Sequence, residues 1–260
     1  MEIGILGGTG LEGKGLALRL GLAGFSVKIG SRILSQALRK AQEFQRELKM
    51  RGSTVHFYGQ ENREIVKTSQ LIFLAVPFEH ATGLLRENGP LFKKGQILVD
   101  VTVPLQFRDK RVELRKLSEA SGSEHLVKSL PNNVPLVAAF KTIPAHLLAN
   151  LEAQLDCHVF VCGDFQHANH QVVQLISKIK GLSALDVGPL REARTLEHMC
   201  ALTIQNNKNT KSNFDTDLAK HFRQYLSGSA SSKLKQSMFT PNKQILESDA
   251  GKNRCGRDTS

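Results

Sequence analysis

The chain has 260 residues, 40% of them hydrophobic and 23% charged, with 21 glycines and 8 prolines. That composition suits one large α/β domain or two modest ones and excludes a disordered, collagen-like or disulfide-scaffold protein. The formal net charge is +11, of which residues 207–260, with 10 Lys and Arg against 5 Asp and Glu, supply +5 and the body +6. A mildly basic body suits a phosphorylated ligand. The lack of Trp, and of an arginine stripe interleaved with aromatics, speaks against nucleic acid as a partner.

In chain order, period-2 apolar runs alternate with 3.6-period stretches. Strand 2–6 precedes helix 10–23, and strand 26–30 precedes helix 34–49. Strand 53–58 leads to helix 61–68, strand 71–75 to helix 78–88, and strand 96–101 to helix 122–129. Strand 136–140, helix 144–152, strand 158–162 and helix 166–180 follow, and an amphipathic helix closes the body at 190–205. This alternation predicts a Rossmann-type, doubly wound parallel sheet with a small C-terminal α/β part. The expected division is a dinucleotide-binding domain over 1–140, a smaller part over 141–206 and a polar tail over 207–260. The tail is read as mostly mobile, with a short helix at 215–226 and a linker-like stretch at 227–232.

The longest apolar run, residues 71–78, is broken by Pro77 and falls short of the ~20 residues of a membrane helix. The opening Met1-Glu2-Ile3-Gly4-Ile5-Leu6 has no basic segment and no cleavage site, so a soluble, unexported, cytoplasmic protein is expected. Cys157, Cys162, Cys200 and Cys255 form no C-x-x-C, and no histidine stands in zinc-ligand spacing around them. Reduced thiols and no metal are expected.

Gly8-Thr9-Gly10-Leu11-Glu12-Gly13 fits G-x-G-x-x-G between the first strand and the first helix. In that context Gly8 allows the tight turn, Gly10 lets backbone approach a pyrophosphate, and Gly13 allows close helix packing. The helix start supplies free N–H groups and the positive dipole end. Glu12 is expected to point to solvent, where it favours the dipole.

The second strand ends in Gly30-Ser31-Arg32, and no acidic residue occurs between Gly13 and Glu43. A carboxylate there would bond a ribose 2′-hydroxyl, whereas a hydroxyl with a guanidinium binds a 2′-phosphate; Ser31 and Arg32 therefore specify NADP. Val76 and Pro77, at the carboxyl end of strand 71–75, are expected to line the cofactor, and the same logic extends to residues 99–104. His80 is read either as a donor to the cofactor or as a surface histidine.

Gly7-Gly8-Thr9-Gly10, residues 13–20, Gly30-Ser31-Arg32, Val76-Pro77-Phe78-Glu79-His80 and Thr142-Ile143-Pro144-Ala145 occur in one order. With Val161-Cys162-Gly163-Asp164 and residues 186–190, this set resembles the NADPH-dependent coenzyme F420 reductases, from Met1 to about Ile204. It is similar also to the reductase domain of six-transmembrane metalloreductases. The resemblance implies reversible hydride transfer between NADP and coenzyme F420 in a homodimer. It further implies cofactor contacts at Thr9, Gly10, Leu11 and Glu12, at Ser31 and Arg32, and, around the nicotinamide, at Val76, His80, Val103 and Ala145.

Two departures from that pattern stand out. Gln36 occupies a position where the family has a basic residue, with Arg39 and Lys40 as substitutes, and the end beyond Asn206 is polar instead of apolar. No catalytic side chain is expected, because hydride transfer asks chiefly for two rings at near-attack distance. Lys141 is read first as a solvated strand-end lysine and second as a group steadying a reduced deazaflavin. The acceptor stays open between coenzyme F420 and a flavin, ferric chelate or imine. A non-enzymatic NADP sensor or scaffold that uses its basic tail for a partner is the remaining reading.

Overall fold

The computed structural model describes residues 1–109 and 111–210, with side chains as far as Asn206. The helix expected at 215–226 and the linker at 227–232 lie outside the described residues. Five strand–helix pairs open the body: β1 (Ile3–Leu6) with α1 (Leu11–Leu22), β2 (Val27–Ser31) with α2 (Leu34–Lys49), β3 (Phe57–Glu61) with α3 (Asn62–Thr68), β4 (Leu71–Leu74) with α4 (Phe78–Asn88), and β5 (Ile97–Asp100) leading to a hairpin and α5 (Gly122–Val127). The hairpin strands are β6 (Leu105–Arg108) and β7 (Arg111–Leu114). Then come β8 (Leu136–Ala138), α6 (Ala145–Ala149), β9 (Cys157–Gly163), α7 (Gln166–Ile176), β10 (Leu182–Gly188) and α8 (Ala193–Thr210).

The eight-stranded sheet runs β3-β2-β1-β4-β5-β8-β9-β10. Strand order reverses between β1 and β4, which opens a crevice at the carboxyl ends of these strands. Alternation along the strands divides the core between the two faces. Ile3, Ile5, Leu71, Phe73 and Val99 pack under α1, α2 and α7, with Leu16, Leu20, Phe44 and Val172. Leu6, Ile72, Leu74 and Leu98 pack under α3, α4, α5 and α8, with Ile65, Leu85, Leu126 and Leu196.

The sheet is mostly, not wholly, parallel. β9 pairs with β8 antiparallel, Val137 opposite Gly163 and Ala138 opposite Cys162, while β10 runs parallel to β9. A parallel partner for β8 would need a crossover back to the start of the sheet. The connection through α6 instead leaves the chain at the end where β8 finished, so β9 re-enters from the same end.

Strand β3 lies later than the expected 53–58. The Gln45 side chain donates to Val55 O at 2.6 Å and accepts from Phe57 N–H at 3.0 Å, occupying the groups that a longer strand would pair. Helix α8 runs through Thr210, past the break expected at Asn206, and residues 190–192 precede it as a 3-10 turn. No helix among the described residues is long and apolar enough to cross a membrane.

Helix α1 is buried nearly all round because α6 covers its outer side. A Cβ on Gly15 would lie 2.6 Å from Leu148 Cβ, so only glycine lets the two helices approach this closely. Arg19, also buried, donates to the carbonyls of Leu147, Leu148, Asn150 and Ala153 at 2.6 to 3.4 Å. One guanidinium thus closes the end of α6, whose last carbonyls have no partners within the helix. Arg19→Ala is expected to destabilise the chain by about 2 kcal/mol, measured as a lowered urea midpoint at unchanged slope.

Candidate functional site

The glycine turn sits where β1 feeds α1. Gly8 N–H donates to Gly30 O at 2.9 Å and Gly10 N–H to Gly7 O at 3.1 Å, which ties the turn to the end of β2. A Cβ on Gly13 would meet Gly8 Cα at 2.6 Å, so the third glycine lets the helix press onto the turn. Gly10 is the N-cap of α1 and no side chain caps it. The first N–H groups of α1 therefore have no intrahelical acceptor and carry the positive dipole end. Asn62, buried at the start of α3, accepts from Gly7 N–H through Oδ1 at 3.3 Å.

Two cavities meet over this turn, sharing Gly10, Ala75, Val76 and Pro77 in their walls. The first, of 740 Å³, adds Thr9, Ser31, Arg32, Gln36, Asn62 and, from α4, Glu79, His80 and Glu87. The second, of 720 Å³, adds Leu11, Glu12, Thr102, Val103, Leu105, Phe140, residues 141–146 and, from α8, Cys200, Thr203 and Ile204. Both volumes are those of small-molecule sites. Eleven of the thirteen residues singled out in the sequence line one cavity or both, so the structure brings them together. Gly8 and Gly13 lie beneath and shape the turn.

In the first cavity Ser31 is buried and its Oγ accepts from Ile33 N–H at 3.2 Å, which leaves the hydroxyl hydrogen to donate. Arg32 is exposed, with no carboxylate partner among the described residues. Gln36 lines the cavity, but Arg39 and Lys40 do not, and Lys40 holds Glu43 at 2.8 Å. The facing carboxylates belong to α4, and Glu79 is drawn toward Arg115 at 3.6 Å.

Glu12 does not point to solvent as expected. It lines the second cavity, and its Oε1 is enclosed without a hydrogen-bond partner. Burial pushes its carboxyl up to about 8 from 4.5. In the unfolded chain the same group ionises near 4.5, so it holds back folding stability progressively as pH rises from there toward 8.

Lys141 is neither solvated nor available to a ligand's charge. It is fully buried, 2.8 Å from Asp100 Oδ2 and 3.3 Å from Glu197 Oε1, and it donates to Thr102 O. Asp100 Oδ1 accepts from Thr102 N–H at 2.9 Å and from its hydroxyl at 2.7 Å, and Oδ2 accepts from the Ser123 hydroxyl at 2.7 Å. Glu197 accepts from the N–H groups of Gly122 and Ser123 at 2.9 and 3.2 Å. Burial alone would lower the Lys141 pKa, but the charges of Asp100 and Glu197 outweigh it and the value is raised.

This cluster clamps the β5 end, α5 and α8 around the second cavity. Phe140, just before it, takes φ of 59° and packs edge-on against Phe73 at 6.1 Å. That left-handed backbone turns Lys141 under the cavity floor. Among the described residues no group of three or more His, Cys, Asp or Glu could hold a metal ion.

A family profile described as NADP oxidoreductase, coenzyme F420-dependent, matches residues 2–104. The F420-dependent NADP reductase of Methanocaldococcus jannaschii is 33% identical over 214 residues, covering 82% of this chain and 95% of that protein. The chain belongs to the F420-dependent NADP reductase family. Rattus norvegicus metalloreductase STEAP3 is 34% identical to this family member over 196 residues, 75% of the chain but 36% of that protein. The crystal structure of a putative F420-dependent NADP reductase from Arthrobacter sp. superposes with a TM-score of 0.66 at 24% identity, over 82% of this chain and 96% of that one, and so shares this fold.

The sequence missed several walls of this family member's site. Asn62 carries no motif signal of its own, and Phe140 and His146 flank a motif without belonging to it. The α8 face, Cys200, Thr203 and Ile204, reads as ordinary apolar packing at i, i+3 and i+4 spacing. Only the tertiary fold turns it toward a ligand space.

Proposed function

We propose that this chain transfers a hydride between NADP(H) and coenzyme F420. The observation that carries the reading is the junction of two cavities at Gly10, Ala75, Val76 and Pro77, one ending at Ser31 and Arg32 and the other walled by apolar side chains. The first fits an adenosine bearing a 2′-phosphate, its pyrophosphate on the uncapped start of α1. The second fits a flat ring system between Val76, Pro77, Leu105, Phe140 and Ile143.

Thr9, Gly10, Leu11 and Glu12 would border the pyrophosphate, Gly8 and Gly13 would shape the turn beneath it, and Val76, Pro77, His80, Val103 and Ala145 would border the nicotinamide half. Bound together, the dihydronicotinamide supplies the hydride and the deazaflavin accepts it. The protein's own share is to hold the rings face to face at the junction, exclude water with Val76, Phe140 and Ile204, and keep the floor rigid through Lys141. No side chain needs to move a proton in that step.

In this reading residues 1–140 form the NADP domain, while 141–206 complete the acceptor cavity and carry dimer contacts. A homodimer in the cytoplasm is the proposed assembly. Leu202 of α8, exposed at 65%, is an apolar side chain that such contacts would cover.

Anaerobic mixing of the purified chain and NADPH with coenzyme F420, a free flavin, a ferric chelate and a cyclic imine tests the function. Turnover confined to or greatest with coenzyme F420 supports it, and turnover only with another acceptor overturns it.

A further inference from the structure

Within the site, Glu12 has no part in the chemistry proposed above, yet its placement demands a partner. Its Oε1 is enclosed and makes no hydrogen bond, while the residue stands on the first turn of α1, two positions after Gly10, in the wall of the second cavity. No basic side chain compensates it. Lys14, two residues on, is held by Glu47 at 3.0 Å, and Lys141 is already shared by Asp100 and Glu197. The other titratable groups on this cavity are His146 of α6 and Cys200 of α8; Glu79, His80 and Glu87 of α4 and Arg32 after β2 border the adjoining one.

We propose that Glu12 is a proton-linked positioning residue: NADP(H) enters with the Glu12 carboxyl neutral and donating its O–H to the incoming pyrophosphate. This rests on the cofactor reading above. An ionised Glu12 would set a third negative charge against a pyrophosphate in a water-poor wall, whereas the neutral acid offers a charge-assisted hydrogen bond to a phosphate oxygen. Burial keeps the carboxyl protonated to about 8, so near neutrality the cradle is ready. Above that, binding must draw one proton from solvent onto the Glu12 carboxylate, and affinity falls as pH rises.

Calorimetric titration of the full chain with NADPH between about pH 7 and 9, in two buffers of different ionisation enthalpy, reads this directly. The cofactor's own 2′-phosphate, with its pKa of about 6, has largely finished titrating over this range. The expected result is proton uptake rising from near zero toward one per site, with affinity weakening about tenfold over the range. Glu12→Gln, which mimics the neutral acid, should bind with no pH slope and no proton uptake; Cys200→Ser, which removes the thiol of this cavity's wall, should keep both.

A flat wild-type profile, or one that Glu12→Gln shares, overturns the role of Glu12 and leaves NADP binding intact. Absence of binding at every pH overturns the cofactor reading and this inference together. Should Glu12→Gln not fold, proton uptake by the wild-type chain, judged against Cys200→Ser, still decides.

Discussion

Lys141→Met is expected to lower folding stability by about 3–5 kcal/mol, because it strands two buried carboxylates. Asp100 and Glu197 lie within 2.8 and 3.3 Å of the ammonium and are 0% and 1% exposed. Without the lysine, neither can be hydrated, and the protein must protonate one or unfold. The loss should shrink at acid pH, where a proton can replace the ammonium.

Adding Glu197→Gln to Lys141→Met should recover part of the stability, since it removes one stranded charge while keeping a side chain that can accept from Gly122 and Ser123 N–H. The linkage of the intact cluster has the same sense as that of Glu12, stability falling as pH rises, but it acts at higher pH. The Lys141 pKa is raised in the fold, so its contribution is complete below the ordinary lysine value of 10.5 and disappears as pH climbs through the higher folded value. Urea titrations of the three proteins at two pH values check both statements. Equal stability of wild type and Lys141→Met would show that the ion pairs are not what clamps α8 to the sheet.

Arg32→Asp is expected to weaken NADPH binding by about 2–3 kcal/mol, roughly 30- to 150-fold, with little change for NADH. Arg32 stands exposed beside the buried Ser31 at the end of β2, and no carboxylate pairs with it among the described residues. It is therefore available to a phosphate on the ribose. The other basic candidates do not line the cavity, and Gln36 occupies the wall where one would help. One guanidinium then carries most of the discrimination, which makes the substitution decisive. Calorimetry with both nucleotides measures it, and equal losses would mean that Arg32 does not read the 2′-phosphate.

Much of this was legible in the sequence wherever the signal was local. The first strand, turn and helix form one contiguous motif, and an unbroken apolar run such as residues 71–74 is dictated by burial on both faces. What escaped depends on distant partners. The β6–β7 hairpin is short and half polar, its two strands pairing only with each other. β10 is an edge strand whose side chains are mostly half-buried, so it lacks an apolar alternation.

Lys141 reads as a surface residue until the fold brings in Asp100 from 41 positions away and Glu197 from α8. Glu12 reads as a dipole-favouring solvent residue, because helix position says nothing of the cavity wall that encloses its Oε1. In both cases the charge type was visible and its surroundings were not.

The most direct test of hydride transfer across the junction of the two cavities is an isotope experiment. NADPH carrying deuterium on its transferable C4 position is mixed anaerobically with the protein and coenzyme F420 in ordinary water. Direct transfer predicts reduced deazaflavin with the deuterium at its C5 carbon and none lost to solvent. Reduction with the label released into water, or no reduction at all, would contradict it.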